Sequence, residues 1–213
     1  MSNRHGYIGT VGHTQAIKSN SGVFSPNEVI DLDSDNVWFN GGQLELIQTQ
    51  SVSGVAQADF TSLGSYDVHF LTVNNLTPAT DNVKVNVRLS TDNGTSFITS
   101  GYQFAVQNGF SDGTFSETNS TSYSRMRVAG SMGNDTNETA NGYIYFYNLL
   151  DSTKDSFVTS HFSFIHPNTS LSGGFTFGGQ VLPTQAVHNA IRVYVNSGNF
   201  SASISLYGIK AYT

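Results

Sequence analysis

The sequence predicts an all-β fold, an antiparallel sandwich of two sheets with a jelly-roll-like arrangement of strands. Three observations support this prediction. Short segments alternate between apolar and polar residues with a period of two, clusters of Gly, Asn, Asp and Ser separate them, and strong helix formers are scarce. With 213 residues, of which 38% are hydrophobic and 11% charged, the chain is also long and apolar enough to bury a core.

The clearest strand is predicted over residues 83–89, where Val83, Val85 and Val87 alternate with polar residues. Similar segments predict strands over residues 43–49, 66–73, 102–106, 123–128, 143–150, 156–165, 190–195 and 203–209. Many short strands joined by turn residues are typical of a sandwich or a barrel. We expect a sandwich.

The first forty residues differ from the rest of the chain. They begin with a segment that shows neither strand alternation nor an amphipathic helical pattern, which predicts an extended arm. The S-x-x-E pattern from Ser25 to Glu28, with proline at the first helical position, predicts a short helix near residues 26–33. We therefore expect an N-terminal arm with this helix over residues 1–40 and one β-sandwich domain over residues 41–213.

Composition excludes several classes of partner and chemistry. The formal net charge is −6 and no run of Lys or Arg is present to form a basic patch, so we expect no nucleic-acid partner. The absence of cysteine excludes disulfides, thiolate metal sites and cysteine nucleophiles. No segment approaches the roughly 18 consecutive apolar residues of a membrane span, and the N-terminus lacks a signal-peptide pattern, so we expect no membrane insertion.

Patterns that suggest catalysis or metal binding fail their structural requirements. The G-x-S-x-G pattern from Gly109 to Gly113 matches a hydrolase nucleophile elbow, but no helix is predicted after it, so we interpret it as a turn. The D-x-D-x-D segment beginning at Asp31 lacks the glycine and the closing glutamate of a calcium loop. The glycine-rich residues 172–179 lack the ending of a phosphate-binding loop and predict a bent strand or a pair of bulges. We predict no catalytic residue, no metal and no cofactor.

Ser90, Asp92, Gly94 and Phe97 complete an Asp-box pattern, S-x-D-x-G-x-[ST]-[WF], which resembles the motif of sialidases and other β proteins. In those proteins the aspartate fastens a turn, the glycine supplies a positive φ and the aromatic residue packs into the core. The resemblance implies a structural β-hairpin over residues 83–102 and no catalytic role.

Three tyrosines alternate along one predicted strand. Tyr143, Tyr145 and Tyr147 share one face, and Ile144 and Phe146 share the other. If the second pair faces the core, the tyrosines form an outward ladder. Such a ladder can pack against another protein subunit, stack on a sugar, or form ordinary cross-strand pairs on an exposed sheet. These three roles stay open at the level of sequence.

Five segments, in order along the chain, carry a resemblance to a known group of proteins. They are SGVFS at residues 21–25, QLELI at 43–47, YDVHF at 66–70, RLSTD at 88–92 and LYGIK at 206–210. Together they resemble small virion structural proteins of tailed bacteriophages, especially those that infect marine bacteria and cyanobacteria. The resemblance implies a β-sandwich on the particle, usually multimeric, without a cofactor or a catalytic residue.

The resemblance leads to an expectation for function. We expect a non-enzymatic structural protein of the virion, in a tail fibre, another tail component or a capsid decoration, made in the host cytoplasm. Its expected partners are other virion proteins and copies of itself, in a homo-oligomer such as a trimer, with the N-terminal arm docked on a neighbour. Two alternatives remain open, a carbohydrate-binding module that contacts host-surface glycans and a glycan-cleaving enzyme.

Overall fold

The computed structural model describes residues 44–167 and 173–210, which form an all-β structure, as predicted. The strands are β1 (Leu44–Val55), β2 (Gln57–Thr61), β3 (Val68–Pro78), β4 (Val85–Ser90), β5 (Tyr102–Phe110), β6 (Phe115–Tyr123), β7 (Met126–Arg127), β8 (Ala140–Tyr147), β9 (Ser156–Ile165), β10 (Gly173–Leu182), β11 (Ala190–Val195) and β12 (Phe200–Ile209). The predicted arm over residues 1–40, with its short helix near residues 26–33, lies outside the described residues.

The strands form two antiparallel sheets, which confirms the predicted β-sandwich. The large sheet contains eight strands in the order β1-β12-β3-β8-β9-β10-β5-β6. The small sheet contains four strands in the order β2-β11-β4-β7. The residues that the structure describes contain no helix long and apolar enough to cross a membrane.

The period of two in the sequence builds the core. In β9, for example, Val158, Ser160, Phe162 and Phe164 are buried, and the residues that alternate with them are exposed. Strands of both sheets contribute inward-facing residues to one hydrophobic cluster. Burial of this apolar surface is the main stabilising contribution in a chain without disulfides.

A tyrosine hydroxyl connects the two sheets inside the core. Tyr102 of β5 is fully buried, and its hydroxyl oxygen accepts a hydrogen bond of 2.8 Å from the backbone N–H of Leu89 in β4. Burial raises the pKa of Tyr102 to about 12, so the hydroxyl remains neutral at physiological pH. Because β5 belongs to the large sheet and β4 to the small sheet, this bond fixes one sheet against the other.

The alternation of apolar and polar residues predicts most strands but misses a polar strand at the edge of the large sheet. The bounds of β9 and β11 agree with the predictions over residues 156–165 and 190–195, whereas only two residues of the predicted strand over 123–128 form β7. β2 and β6 were not predicted. The sequence of β6 is FSETNSTSY. This strand lies at an edge of the large sheet and is largely exposed, so a mostly polar sequence suffices there.

The glycine-rich segment forms a strand, and of the two predicted forms, a bent strand or a pair of bulges, the pair of bulges was wrong. β10 pairs with β9 and with β5 in continuous register. Glycine is needed here because of close packing: a Cβ atom on Gly178 would lie 2.4 Å from the backbone oxygen of Ala105. The opposite condition holds at Gly179, where a Cβ atom would meet nothing within 4 Å.

The Asp box does not form a hairpin, which corrects the prediction over residues 83–102. β4 pairs with β11 and β7 in the small sheet, and β5 pairs with β10 and β6 in the large sheet. The segment from Ser90 to Phe97 therefore belongs to the connection by which the chain leaves one sheet and enters the other. Its internal hydrogen bonds tighten a turn of this connection, and they do not bring β4 and β5 into one ladder.

Candidate functional site

The predicted tyrosine ladder faces outward on the large sheet. Ile144 and Phe146 of β8 are fully buried, so the alternation places Tyr143, Tyr145 and Tyr147 on the outer face. Tyr143 is 40% exposed, and the other two tyrosines are half-buried because neighbouring rings cover them. Because Ile144 and Phe146 face the core, the three tyrosines form an outward ladder, as expected for that case.

The ladder belongs to a larger group of rings, which we call the aromatic belt. It contains Phe70, Phe115, Tyr143, Tyr145, Tyr147, His161, Phe175, Phe177 and Tyr207. The centroids of Phe70 and Tyr145 are 4.7 Å apart, and His161 connects the two ends by centroid distances of 5.8 Å to Tyr143 and 6.3 Å to Phe175. Rings from six strands therefore form one contiguous surface.

A groove lies beside the belt because one row of the outer face carries small side chains. The register aligns Tyr145 with Thr159, Thr159 with Gly179, Gly179 with Ala105, and Ala105 with Asn119. The two smallest of these residues form the floor, where Gly179 leaves open space above its backbone. The row crosses four inter-strand spacings, or about 19 Å. The groove has a volume of about 840 Å³.

Aromatic rings stand on both sides of the floor. Phe177, 46% exposed, occupies the neighbouring row on one side, and Phe157, 45% exposed, occupies the neighbouring row on the other side. A second hollow of about 540 Å³ shares Ala105, Thr159 and Gly179 with the groove and extends it towards Phe157. The open trough therefore presents apolar ring surfaces along both of its long sides.

Polar side chains complete the lining of the groove. Gln107, Glu117 and Asn119 of β5 and β6 lie at one end, and Thr159 and His161 of β9 lie nearer to the tyrosines. Among the described residues that line the groove, Glu117 is the only carboxylate. The lining combines ring faces with hydrogen-bonding groups and carries little charge, a combination suited to a neutral polar ligand.

The Asp box is a structural turn on the other side of the sandwich. The Asp92 carboxylate accepts hydrogen bonds of 2.6 Å from the Ser90 hydroxyl and from the Ser96 hydroxyl and one of 2.9 Å from the Ser96 backbone N–H. These bonds lower the pKa of Asp92 to about 2. Gly94 has a φ of 87°. Phe97 is half-buried under the Arg192 guanidinium, at 3.9 Å from its ring centroid, and is not among the core residues.

A serine–histidine pair that sequence reasoning missed lies inside the core. The Ser156 hydroxyl is 2.8 Å from Nδ1 of His188, and both residues are fully buried. Burial lowers the pKa of His188, which favours the neutral imidazole. Because neither side chain reaches the surface, the pair is a buried polar contact and is not positioned to attack a substrate.

The G-x-S-x-G segment is a turn between β5 and β6. The Phe110 backbone N–H donates to the Thr114 carbonyl at 3.0 Å, and the Gly113 backbone N–H donates to the Phe110 carbonyl at 3.0 Å. Gly113 has a φ of 88°, and Asp112 accepts hydrogen bonds from Thr114. The strand-turn-strand context confirms the interpretation as a turn and differs from the strand-to-helix context of a nucleophile elbow.

The sequence located only part of the groove. Tyr143, Tyr145 and Tyr147 were singled out because they alternate within one strand, whereas Phe177 and His161 belong to strands that become neighbours only in the fold. The alternation of Phe175 and Phe177 within the glycine-rich segment was the one available signal for β10. Within residues 44–167 and 173–210, no three His, Asp or Glu side chains are grouped so that they could hold a metal ion.

No protein-family model, curated protein or solved structure matches this chain significantly. Assignment of a function therefore depends on the chemistry of the groove together with the sequence segments described above.

Proposed function

We propose that this protein is a non-enzymatic structural component of a tailed-phage virion and that its groove binds a carbohydrate chain on the host surface. The observation that carries the proposal is the groove itself. Exposed rings stand along both sides of a floor of small residues, and polar side chains, of which Glu117 alone is a carboxylate, complete the described lining. The five ordered sequence segments support the assignment to a virion.

The lining matches the chemistry of a sugar chain. A pyranose ring has an apolar face of C–H groups that can stack on an aromatic ring, and its hydroxyl groups can exchange hydrogen bonds with amide and hydroxyl side chains. Tyr143, Tyr145 and Phe177 supply rings in the groove, and Gln107 and Asn119 supply amides. A straight trough of about 19 Å also suits an extended chain better than a compact ligand.

The concave shape disfavours reciprocal contact between two identical grooves. A twofold interface places the same patch of both subunits face to face and requires that the patch be complementary to itself. Two troughs facing each other would enclose empty space between their floors at Gly179 and Ala105. We therefore propose that copies of the chain contact one another through other surfaces and that the groove binds a ligand.

Binding to host polysaccharide tests the groove. We expect the purified protein to bind a glycan of the host surface in an array or by calorimetry. Tyr145→Ala removes a ring, Gly179→Leu fills the floor, and each should weaken binding at least tenfold. Tyr207→Ala is the matched control, because Tyr207 belongs to the aromatic belt but does not line the groove.

The melting temperature of each variant separates loss of binding from loss of folding. Gly179→Leu with unchanged affinity would contradict the groove as the binding site, and failure of the native protein to bind any host-surface glycan would refute the carbohydrate part. The virion part is tested separately by mass spectrometry of purified particles. It requires that the protein be present in stoichiometric amounts in the particle, and its absence there would overturn it.

The glycan-cleaving alternative is distinguished by product release. Glycoside hydrolysis ordinarily uses two carboxyl groups that flank the scissile bond, and the described groove lining supplies Glu117 alone. We therefore expect no new reducing ends when the protein is incubated with a polysaccharide that it binds. Release that disappears in Glu117→Gln would replace the binding function by an enzymatic one.

A further inference from the structure

Cationic side chains gather on the outer face of the small sheet, although the sequence contains no run of Lys or Arg. Val85, Val87 and Leu89 of β4 face the core, so Lys84 and Arg88 lie on the opposite side of the strand. β7 adds Arg127 beside Asn86, and Arg125 precedes it by two residues. We call Lys84, Arg88, Arg125 and Arg127 the cationic face. A local group of cations therefore forms without a run in the sequence, because alternation and strand pairing bring together residues that are distant in sequence.

These four residues have no carboxylate partner among the described residues. The other cations of the described part are all paired: Lys154 with Asp151 at 3.0 Å, Arg192 with Asp59 at 2.7 Å, and Lys210 with Glu45 at 2.9 Å. Within the described residues, the Lys and Arg side chains without a carboxylate partner therefore all belong to this face, although the formal net charge of the chain is −6. Such segregation is unexpected from composition alone, because carboxylates outnumber cations.

Neutral groups hold the cationic face in place. The Nε–H of Arg88 donates to the Ser124 carbonyl at 2.9 Å, and its guanidinium lies 5.1 Å from the Tyr194 ring centroid. Arg125 donates to the Tyr123 hydroxyl at 3.1 Å and lies 4.8 Å above the same ring. These contacts orient the guanidinium groups without neutralising them, so the positive charges are available to a ligand.

Two donors on this face lack an acceptor. The Nε atoms of Arg125 and Arg127 are buried, and neither has a hydrogen-bond partner among the described residues; the Asn86 Oδ1 atom and the Tyr194 hydroxyl on the same face are also buried and without a partner. A buried charged donor without an acceptor is costly, so a negatively charged acceptor at this position would be stabilising. The pKa of Lys84 also reflects these neighbours. Burial and the positive charges of Arg127 and Arg125 lower it.

We propose that the cationic face is a binding site for an oxyanion, a phosphate, sulfate or carboxylate group. The planar guanidinium groups of Arg125 and Arg127 would donate to its oxygens, and Lys84 and Arg88 would add positive charge from β4. Asn86, buried between Arg127 and Tyr194 in the register, donates from its side-chain amide to the Lys84 carbonyl at 2.8 Å. The site lies on the small sheet and is independent of the groove on the large sheet.

Calorimetric titration of the full chain tests this site. The probes are sodium sulfate, sodium phosphate and sodium acetate, each at constant ionic strength with sodium chloride as the background. We expect saturable binding of at least one oxyanion, weakened at least tenfold by Arg125→Gln and by Arg127→Gln. Preference for sulfate and phosphate over acetate identifies a tetrahedral group, and the reverse order identifies a carboxylate.

Lys154→Gln is the matched control, because it removes a cation that is paired with Asp151 away from the cationic face. It should bind like the native protein. Near-ultraviolet circular dichroism verifies that the arginine variants are folded, and Lys84→Gln provides a third variant at a half-buried position. Absence of saturable binding in the native protein, or equal weakening by Lys154→Gln, would overturn the proposal.

Discussion

The outer faces of the two sheets differ in how their side chains interact with one another. On the large sheet, rings cover one another, as Phe70 does with Tyr145 and Phe175 with Phe177. On the small sheet, four charges of one sign lie close together beside the Asp59–Arg192 ion pair and are held by neutral neighbours, as Arg88 is by Tyr194. The first face consists of mutually favourable contacts, and the second face contains mutually unfavourable ones.

This difference separates side chains that stabilise the fold of the free protein from side chains that we propose to bind a ligand. Removing a ring from the aromatic belt should cost stability, because the ring packs against its neighbours in the free protein. Removing the Lys84 charge from the cationic face should not cost stability, because burial and the neighbouring positive charges disfavour the protonated amine in the free protein. Residues retained at a cost in stability are typical of binding sites.

The largest expected effect tests the floor of the groove. Gly178 faces the backbone of Ala105, whereas its neighbour Gly179 faces open space. Gly178→Ala should lower the free energy of unfolding by about 3 kcal/mol, because a backbone oxygen cannot move aside as a side chain can. Gly179→Ala should change it by less than about 0.5 kcal/mol. Urea unfolding measures both, and equal effects would contradict the description of the floor as a free surface.

A smaller effect is expected from the centre of the aromatic belt. Phe70 is half-buried and contacts Tyr143, Tyr145 and Tyr207, with centroid distances of 6.0, 4.7 and 6.2 Å. Phe70→Ala should lower the free energy of unfolding by about 2 kcal/mol, since it removes both buried apolar area and ring contacts. Phe70→Leu keeps most of the area and should lose about half as much. An unchanged free energy of unfolding in Phe70→Ala would show that ring contacts within the aromatic belt do not stabilise the fold.

The alternation in the sequence was sufficient to predict the fold class, because each face of a sheet contributes every second residue. It predicted β9 to the residue from SFVTSHFSFI, where buried and exposed positions alternate without interruption. It failed at β6, which has one neighbouring strand and little burial, and therefore little hydrophobic signal. It also failed at the Asp box, because a turn motif does not reveal whether the next strand returns to the same sheet.

The two outer faces depend on strand neighbours, and the sequence does not reveal these. Tyr145 and Gly179 lie in one row of the groove only because β9 lies between β8 and β10. Arg88 and Arg127 lie on one face only because β7 pairs with β4 across nearly forty residues of intervening chain. Pairings that are distant in sequence are set by packing of the whole core, which local patterns do not encode.

The smallest effect has the opposite sign and tests the cationic face. Lys84→Met removes one of its four charges and keeps an apolar side chain of similar length. Since burial disfavours the protonated Lys84 and the positive charges of Arg127 and Arg125 oppose it, the variant should gain about 0.5 kcal/mol in the free energy of unfolding at low ionic strength. The gain should shrink as sodium chloride is added, because screening weakens repulsion in the native protein.

Lys154→Met is the control for the sign of this change in the free energy of unfolding. Lys154 lies 3.0 Å from the Asp151 carboxylate, so its removal eliminates an attraction instead of a repulsion and should be neutral or slightly destabilising. The same Lys84→Met variant should bind oxyanions less tightly, so that stability and binding change in opposite directions. A loss of stability in Lys84→Met, or a gain that salt does not diminish, would show that the cationic face is not under charge repulsion and would remove the distinction between the two sheets.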